Sequence, residues 1–285
     1  MTSRVGNDFN PPMAMYRWTR LSTQRMEEDW YARLSHIDPE HLVMLTQPES
    51  SALKIQVFGY KKTVEQLVRD FGGKMTQLAP EAWIGSQARA PLSIRGRLRV
   101  HSDDATFRAS ANTGRDIFIP AGMAFGTGDH ATTATCLRLL CDIVVNLPSG
   151  WRALDAGTGT GILAIAAEKL GASAVEAFDF DPVCIRVSEE NAKANRCRKI
   201  AFSVADSRRV GAFQKADVIL ANLYSELLIA SAPGLAKKLK PGGHFIFSGV
   251  LVRQAAEVTA ALEKCGLGTP RLIKRGKWCA GICPA

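Results

Sequence analysis

The chain has 285 residues, enough for one large domain or two modest ones, and its 46% hydrophobic content excludes a disordered or fibrous protein. A net charge of +9 admits acidic partners such as RNA and equally suits an enzyme. No run of about 18 apolar residues occurs and no apolar segment follows a basic start, so neither a membrane-spanning helix nor a secretory leader is expected. The seven cysteines are scattered; Cys279 and Cys283, the nearest to a motif, have no second pair or histidine beside them, which argues for a reduced cytoplasm rather than zinc.

Residues 1–13 are polar with two prolines and read as a frayed tail. Beyond them the pattern predicts a strand at 16–21, a helix over 24–34 and strands at 42–46 and 53–58 separated by QPESS. A second helix follows over 63–71, with Val64, Leu67, Val68 and Phe71 on one stripe. Gly72-Gly73 ends it, and 74–78 returns as a strand. The order β-α-β-β-α-β is that of a ferredoxin-like unit, placed at 14–79 and expected to grip a substrate rather than do chemistry. Residues 80–119 read as a linker with connecting strands. Arg95, Arg97 and Arg99 alternate there with Ile94, Leu98 and Val100, as in one strand with its charges on the wet face; an RNA or acidic-protein contact is the alternative. Ile117–Ile119 is a strand closed by Pro120.

Residues 120–140, PAGMAFGTGDHATTATCLRLL, form a glycine-rich loop that runs into an amphipathic helix. A threonine at the helix start explains itself as a cap. The ten-residue loop, with Phe125, Thr127, Asp129 and His130, does not, and such loops close over ligands.

The stretch WRALDAGTGTG, 151–161, then joins a strand to a helix through Gly157, Gly159 and Gly161, the shape of a nucleotide-cofactor turn. Asp155, two residues before the first glycine, would repel a pyrophosphate but suits S-adenosylmethionine, whose sulfonium and amino groups are cationic. A G-x-G-x-x-A reading from Gly159 to Ala164 keeps a dinucleotide site open as an alternative. Strand 175–178 ends in Asp179, 22 residues after Gly157, where a carboxylate can accept both ribose hydroxyls. Asp181 is expected to cap the helix that Pro182 opens. Strand 200–204 is followed by Asp206. ADVILANL, 216–223, is a buried parallel strand that delivers Asn222 at its carboxyl end, either as a turn residue or as an acceptor for an attacking amine. A helix over 224–239, a turn at 240–243, strand HFIFSGVL, a helix over 251–264 and an antiparallel pair around Gly276 complete the sheet.

FGTGDHATT matches the FGTGxHxTT signature of the ribosomal protein methyltransferase family that modifies protein eleven of the bacterial large subunit. LDAGTGTGILAIAAEKLGA, FDFDP, ANLYSELL and LKPGGHFIFSGVL follow at that family's spacing. The resemblance covers about residues 83–285 and is dense from 120 to 250; in the N-terminal unit only the topology agrees. It implies an α/β, Rossmann-like class I methyltransferase domain over 120–285, with S-adenosyl-L-methionine as cofactor. It puts Asp179 on the ribose and Asp206 near the adenine amino group, with a plain surface aspartate as the alternative for Asp206. Phe125, Thr127, Thr133, Asp155, Gly157, Gly159, Gly161 and Asn222 then border the cofactor. Asn222 and His130 are the catalytic candidates, and no metal is expected. The implied reaction is N-methylation of lysine or N-terminal amines in that ribosomal protein, free or on the ribosome, by a cytoplasmic monomer. The four positive charges of RLIKRGKW read as a solvated hairpin, with a contact to the ribosome and its RNA as the alternative. Three alternatives stay open: an RNA or different protein substrate, a binding module that keeps the fold without turnover, and a dinucleotide oxidoreductase. NLYS, which lacks the prolines of (N/D)PP(Y/F), speaks against RNA amines as the target.

Overall fold

The computed structural model describes residues 15–34, 37, 42–46, 51–78, 91–110, 114–120 and 130–285. The expected tail at 1–13, most of the QPESS turn, residues 79–90 and the loop residues 121–129, with Phe125, Thr127 and Asp129, lie outside these. The chain divides into two compact units, Met1–Gln87 and Ala88–Ala285.

In the first unit, β1 (Met15–Thr23) leads through a single 3-10 turn into α1 (Glu27–Arg33). Then come β2 (Leu42–Thr46), β3 (Ala52–Tyr60), α2 (Lys61–Phe71) and β4 (Lys74–Gln77). The sheet order is β2-β3-β1-β4, with every neighbouring pair antiparallel, as in a ferredoxin-like unit. Alternate residues Leu53, Ile55 and Val57 of β3 point to one face and pack with Trp18, Trp30, Leu34, Val64 and Leu67. The Trp18 indole donates to the Gly72 carbonyl at 2.6 Å, which ties the end of α2 to the sheet.

The second unit begins with a small sheet of β5 (Leu92–Ile94), β6 (Leu98–His101) and β7 (Asp116–Phe118), with α3 (Asp104–Ala109) between the last two. Here the structure corrects the sequence reading. Ile94–Val100 is not one alternating strand. Arg95 and Gly96 both take positive φ, +52° and +63°, and the Arg97 N–H bonds the Ile94 carbonyl at 2.9 Å. Two successive left-handed residues make a tight hairpin turn whose twist matches the strands, and glycine in the second place lowers its cost. Nor is the segment a mere connector: Ile94, Leu98, Val100, Ile117 and Ile119 belong to the main core with Leu137 and Leu140. Beneath it Asp116, fully buried, accepts from Arg99 at 2.8 Å and meets the His101 imidazole at 2.7 Å.

After α4 (Ala131–Ile143) come β8 (Arg152–Ala156), α5 (Ile162–Lys169), β9 (Ala174–Asp179), α6 (Pro182–Ala194) and β10 (Ile200–Val204). They are followed by β11 (Ala216–Asn222), α7 (Ser225–Ala236), β12 (Leu239–Leu251), α8 (Ala255–Lys264), β13 (Arg271–Arg275) and β14 (Trp278–Pro284). The seven strands run β10-β9-β8-β11-β12-β14-β13, the first five parallel and β14 antiparallel to both its neighbours. In β11, Val218 and Leu220 enter one core while Ile219 and Ala221 enter the other, so both faces are covered and the strand reads as a continuous apolar run. The helix predicted to 239 stops at Ala236, and the expected turn at 240–243 is an irregular start to β12. Partners shift there between Ala216 and Val218. Among the described residues no helix is long and apolar enough to cross a membrane.

Candidate active site

In a doubly wound sheet the helix that leaves each strand turns away from its carboxyl end, which opens a crevice where the strand order reverses. That reversal falls between β8 and β11, whose ends carry Asp155 and Asn222.

Gly157, Gly159 and Gly161 follow β8 with φ of +71°, +54° and +81°, left-handed conformations that glycine adopts without steric penalty. The loop holds itself together. The Gly157 and Thr158 N–H groups both donate to the Phe178 carbonyl, Gly159 N–H donates to Asp179 Oδ2 at 3.0 Å, and Gly161 N–H donates to the Thr158 carbonyl. A phosphate-binding turn presents such donors to its ligand; here these four are turned inward. That inward turn weighs against a dinucleotide.

Asp155 is fully buried. One carboxylate oxygen, Oδ2, accepts from the Thr158 hydroxyl at 2.7 Å and from the Ala164 N–H at 3.1 Å; the other, Oδ1, has no donor among the described residues. Burial pushes its pKa up to about 7, against the pull of those two donors and with a further push from Asp179. A carboxylate held there half-satisfied is stabilised by a cation and destabilised by an anion.

Asp179 ends β9 and accepts from Gly159 through Oδ2 and from the Asp181 N–H through Oδ1 at 3.0 Å, which fixes its carboxylate plane. Asp181 in turn caps α6 by accepting from the Val183 N–H at 2.7 Å, with Pro182 in the first turn. Asp206 caps a short 3-10 turn and is gripped by the Arg208 guanidinium at 2.9–3.2 Å. That ion pair holds its carboxyl below the usual carboxylate range.

Asn222 sits at the end of β11. Its amide donates from Nδ2 to Thr133 Oγ1 at 3.2 Å, and its carbonyl oxygen is buried with no partner among the described residues. The cap of α4 is His130, not a threonine: its Nδ1 meets Thr132 Oγ1 at 2.7 Å and faces the Thr132 N–H at 3.4 Å. That leaves Thr133, one turn on, to reach Asn222. The His130 ring stands edge-on to Trp278 at 5.2 Å, and burial, with Lys277 nearby, lowers its pKa.

Sequence reasoning missed the glycine that shapes this corner. Gly249 has φ +85°, and a Cβ there would lie 2.4 Å from the Leu223 carbonyl oxygen; a Cβ on Gly157 would lie 2.4 Å from Leu223 Cδ2. Leu223 is thus held between two glycines, and the adjacent Asn222 inherits its position. The only signal was a glycine inside the apolar run HFIFSGVL, a mark of close backbone approach.

A cofactor that is cationic and free of phosphate fits this edge of the sheet, and with this strand order the unit is a class I S-adenosylmethionine-dependent methyltransferase. Residues 23–283 match the model of the ribosomal protein L11 methyltransferase (PrmA) family, and the chain belongs to that family. A ribosomal protein L11 methyltransferase of Bacillus cereus strain B4264 is 30% identical over 269 residues, which span 90% of this chain and 85% of that protein. One from Bacillus anthracis strain CDC 684 is 29% identical over the same length. The crystal structure of a ribosomal protein L11 methylase from Lactobacillus delbrueckii subsp. bulgaricus superposes with a TM-score of 0.60 at 29% identity. The match covers 68% of this chain and 98% of that one.

Proposed function

We propose that this protein transfers methyl groups from S-adenosylmethionine to amine nitrogens, lysine or N-terminal, of ribosomal protein L11, and that it does so in the cytoplasm as a monomer. The observation that carries the reading is the buried carbonyl of Asn222, without a partner among the described residues, its amide bonded to Thr133 at the carboxyl end of β11.

Bound S-adenosylmethionine supplies a methyl group already made electrophilic by its sulfonium, so the protein's task is alignment. Gly157, Gly159 and Gly161 shape the floor of the cofactor site, Asp155 favours its positive charge, and Asp179 takes the ribose hydroxyls. Asp206 borders the adenine, and Phe125 and Thr127, outside the described residues, are assigned to the cofactor by the family resemblance alone. The Asn222 carbonyl accepts an N–H of the incoming amine and turns the nitrogen lone pair towards the methyl. A lysine amine, with an ordinary pKa of about 10.4, enters this site neutral because burial disfavours its charged form. Asn222 cannot take up a proton, so the amine gives its proton to solvent water as it enters. To His130 we assign the ordering of the loop-to-helix junction, supported by its cap on α4.

Purified protein with methyl-labelled cofactor, ribosomal proteins and ribosomal RNA from a strain lacking the gene provides the test. Label at amines of L11 is expected. Label confined to RNA, or in no component while the cofactor still binds, would overturn the substrate.

A further inference from the structure

At the opposite end of α4 from Asn222, the second unit carries a basic hollow that the transfer reaction does not use. A cavity of about 460 Å³ is lined by Arg95, Arg97, Arg115 and Lys169, with Val144 and Leu170 as apolar members. A neighbouring cavity of about 490 Å³ shares Arg97 and Arg115 and adds Arg99. Among the described residues no carboxylate lines either one.

The five cations are not equivalent. Arg95 is paired with Asp142 at 2.9 Å and Arg99 with Asp116 at 2.8 Å. Among the described residues no acidic side chain pairs with Arg97, Arg115 or Lys169. Lys169 stands in the last turn of α5, where a cation also suits the helix dipole, so Arg97 and Arg115 are the telling residues. They reach the hollow from two directions. Arg97 leaves the Arg95-Gly96 turn, and Arg115 precedes β7, which lies parallel beside β6.

We propose that this hollow binds the phosphate backbone of RNA. Uncompensated guanidinium groups around a concave surface suit phosphates, whose oxygens they grip two at a time. Arg97 and Arg115 line both cavities from separate segments of the chain, an arrangement that lets each take a different phosphate. A protein partner would need an aromatic or large apolar anchor, and among the described residues the apolar side chains of the lining are Val144 and Leu170. Asp142 follows Thr133 by nine positions in α4, roughly 14 Å along the helix axis. The hollow therefore anchors RNA while the distant strand ends do the transfer. If L11 is the substrate, as proposed above, the RNA is that of the ribosomal particle carrying it; the binding itself does not depend on that reading.

The test uses the full chain and a fluorescein-labelled single-stranded RNA of about 16 nucleotides, followed by anisotropy between about 50 and 200 mM salt. The double variant Arg97→Ala/Arg115→Ala is expected to bind at least about ten-fold more weakly. Its logarithmic salt slope should fall by roughly 1.4, the share of two phosphates. Cofactor affinity and methylation of isolated L11 should stay within about two-fold, as the hollow lies a helix length from the site. Undiminished RNA binding by the variant, or none by the native chain, would overturn the proposal. So would a polyglutamate peptide held at the hollow as tightly as RNA, which would assign it to an acidic protein. Should the variant fail to fold, ultraviolet cross-linking of the native chain to the RNA decides: adducts around Arg97 and Arg115 support the proposal, and adducts only elsewhere refute it. Failure of native protein to methylate isolated L11 would count against the substrate alone.

Discussion

The Asn222 side-chain amide donates to the Thr133 hydroxyl at 3.2 Å across 89 residues of sequence, and this bond determines which way the Asn222 carbonyl faces. In the proposed reaction Asn222→Ala removes the acceptor assigned to orienting the amine, and a misaligned nucleophile costs about 100-fold in rate. kcat should fall by that order while cofactor affinity, measured by calorimetry, changes little. Thr133→Val keeps shape but strands the amide, a loss of about 1 kcal/mol, or about five-fold in kcat. Equal effects of both variants on cofactor affinity alone would refute this division of labour.

Asp155 carries a pH dependence of known sign. Its folded pKa of about 7 lies above the ordinary value near 3.9, so its contribution to ligand-free stability is full below about pH 4 and is lost as pH rises through 7. A cationic ligand favours the ionised form, so cofactor affinity should rise from pH 6 to 8 with proton release near pH 7. Asp155→Asn should raise the ligand-free Tm at pH 8, weaken cofactor binding about ten-fold, and abolish the released proton seen by calorimetry in two buffers.

Leu223 leaves no room for a side chain at residue 157. Gly157→Ala combines that overlap with a left-handed backbone, together about 3 kcal/mol. Leu223→Ala removes only the overlap, so a double-mutant cycle on stability should return a coupling of about 1–2 kcal/mol. Strict additivity would mean that the loop moves aside instead.

His130 is lowered in pKa and accepts at the start of α4 only when neutral. Its contribution is present above its unfolded pKa and is lost as pH falls through the lowered folded value. His130→Ala should cost about 1 kcal/mol of stability at pH 8, whereas His130→Asn, itself a good cap, should retain it and abolish the acid-dependent loss. Thermal melts at several pH values distinguish these outcomes.

The sequence by itself determined the alternation of strands and helices and the glycine turn. It also set the strand-end positions of Asp155, Asp179 and Asn222 and the Asp181–Pro182 helix start. Each is written in a window of a few residues, through hydrophobic period, turn chemistry or capping preference. Tertiary structure decided the rest. Arg95 and Gly96 read as members of an alternating strand until the core contacts of Ile94 and Leu98 required a reversal between them. The choice of His130 over a threonine as cap, and the release of Thr133 to Asn222, depend on a strand far along the chain. So does the seating of Leu223 between Gly157 and Gly249, residues 92 positions apart that only sheet packing brings to one side chain. Local pattern chooses the elements; contacts between elements choose which side chains meet, because no short window holds both partners.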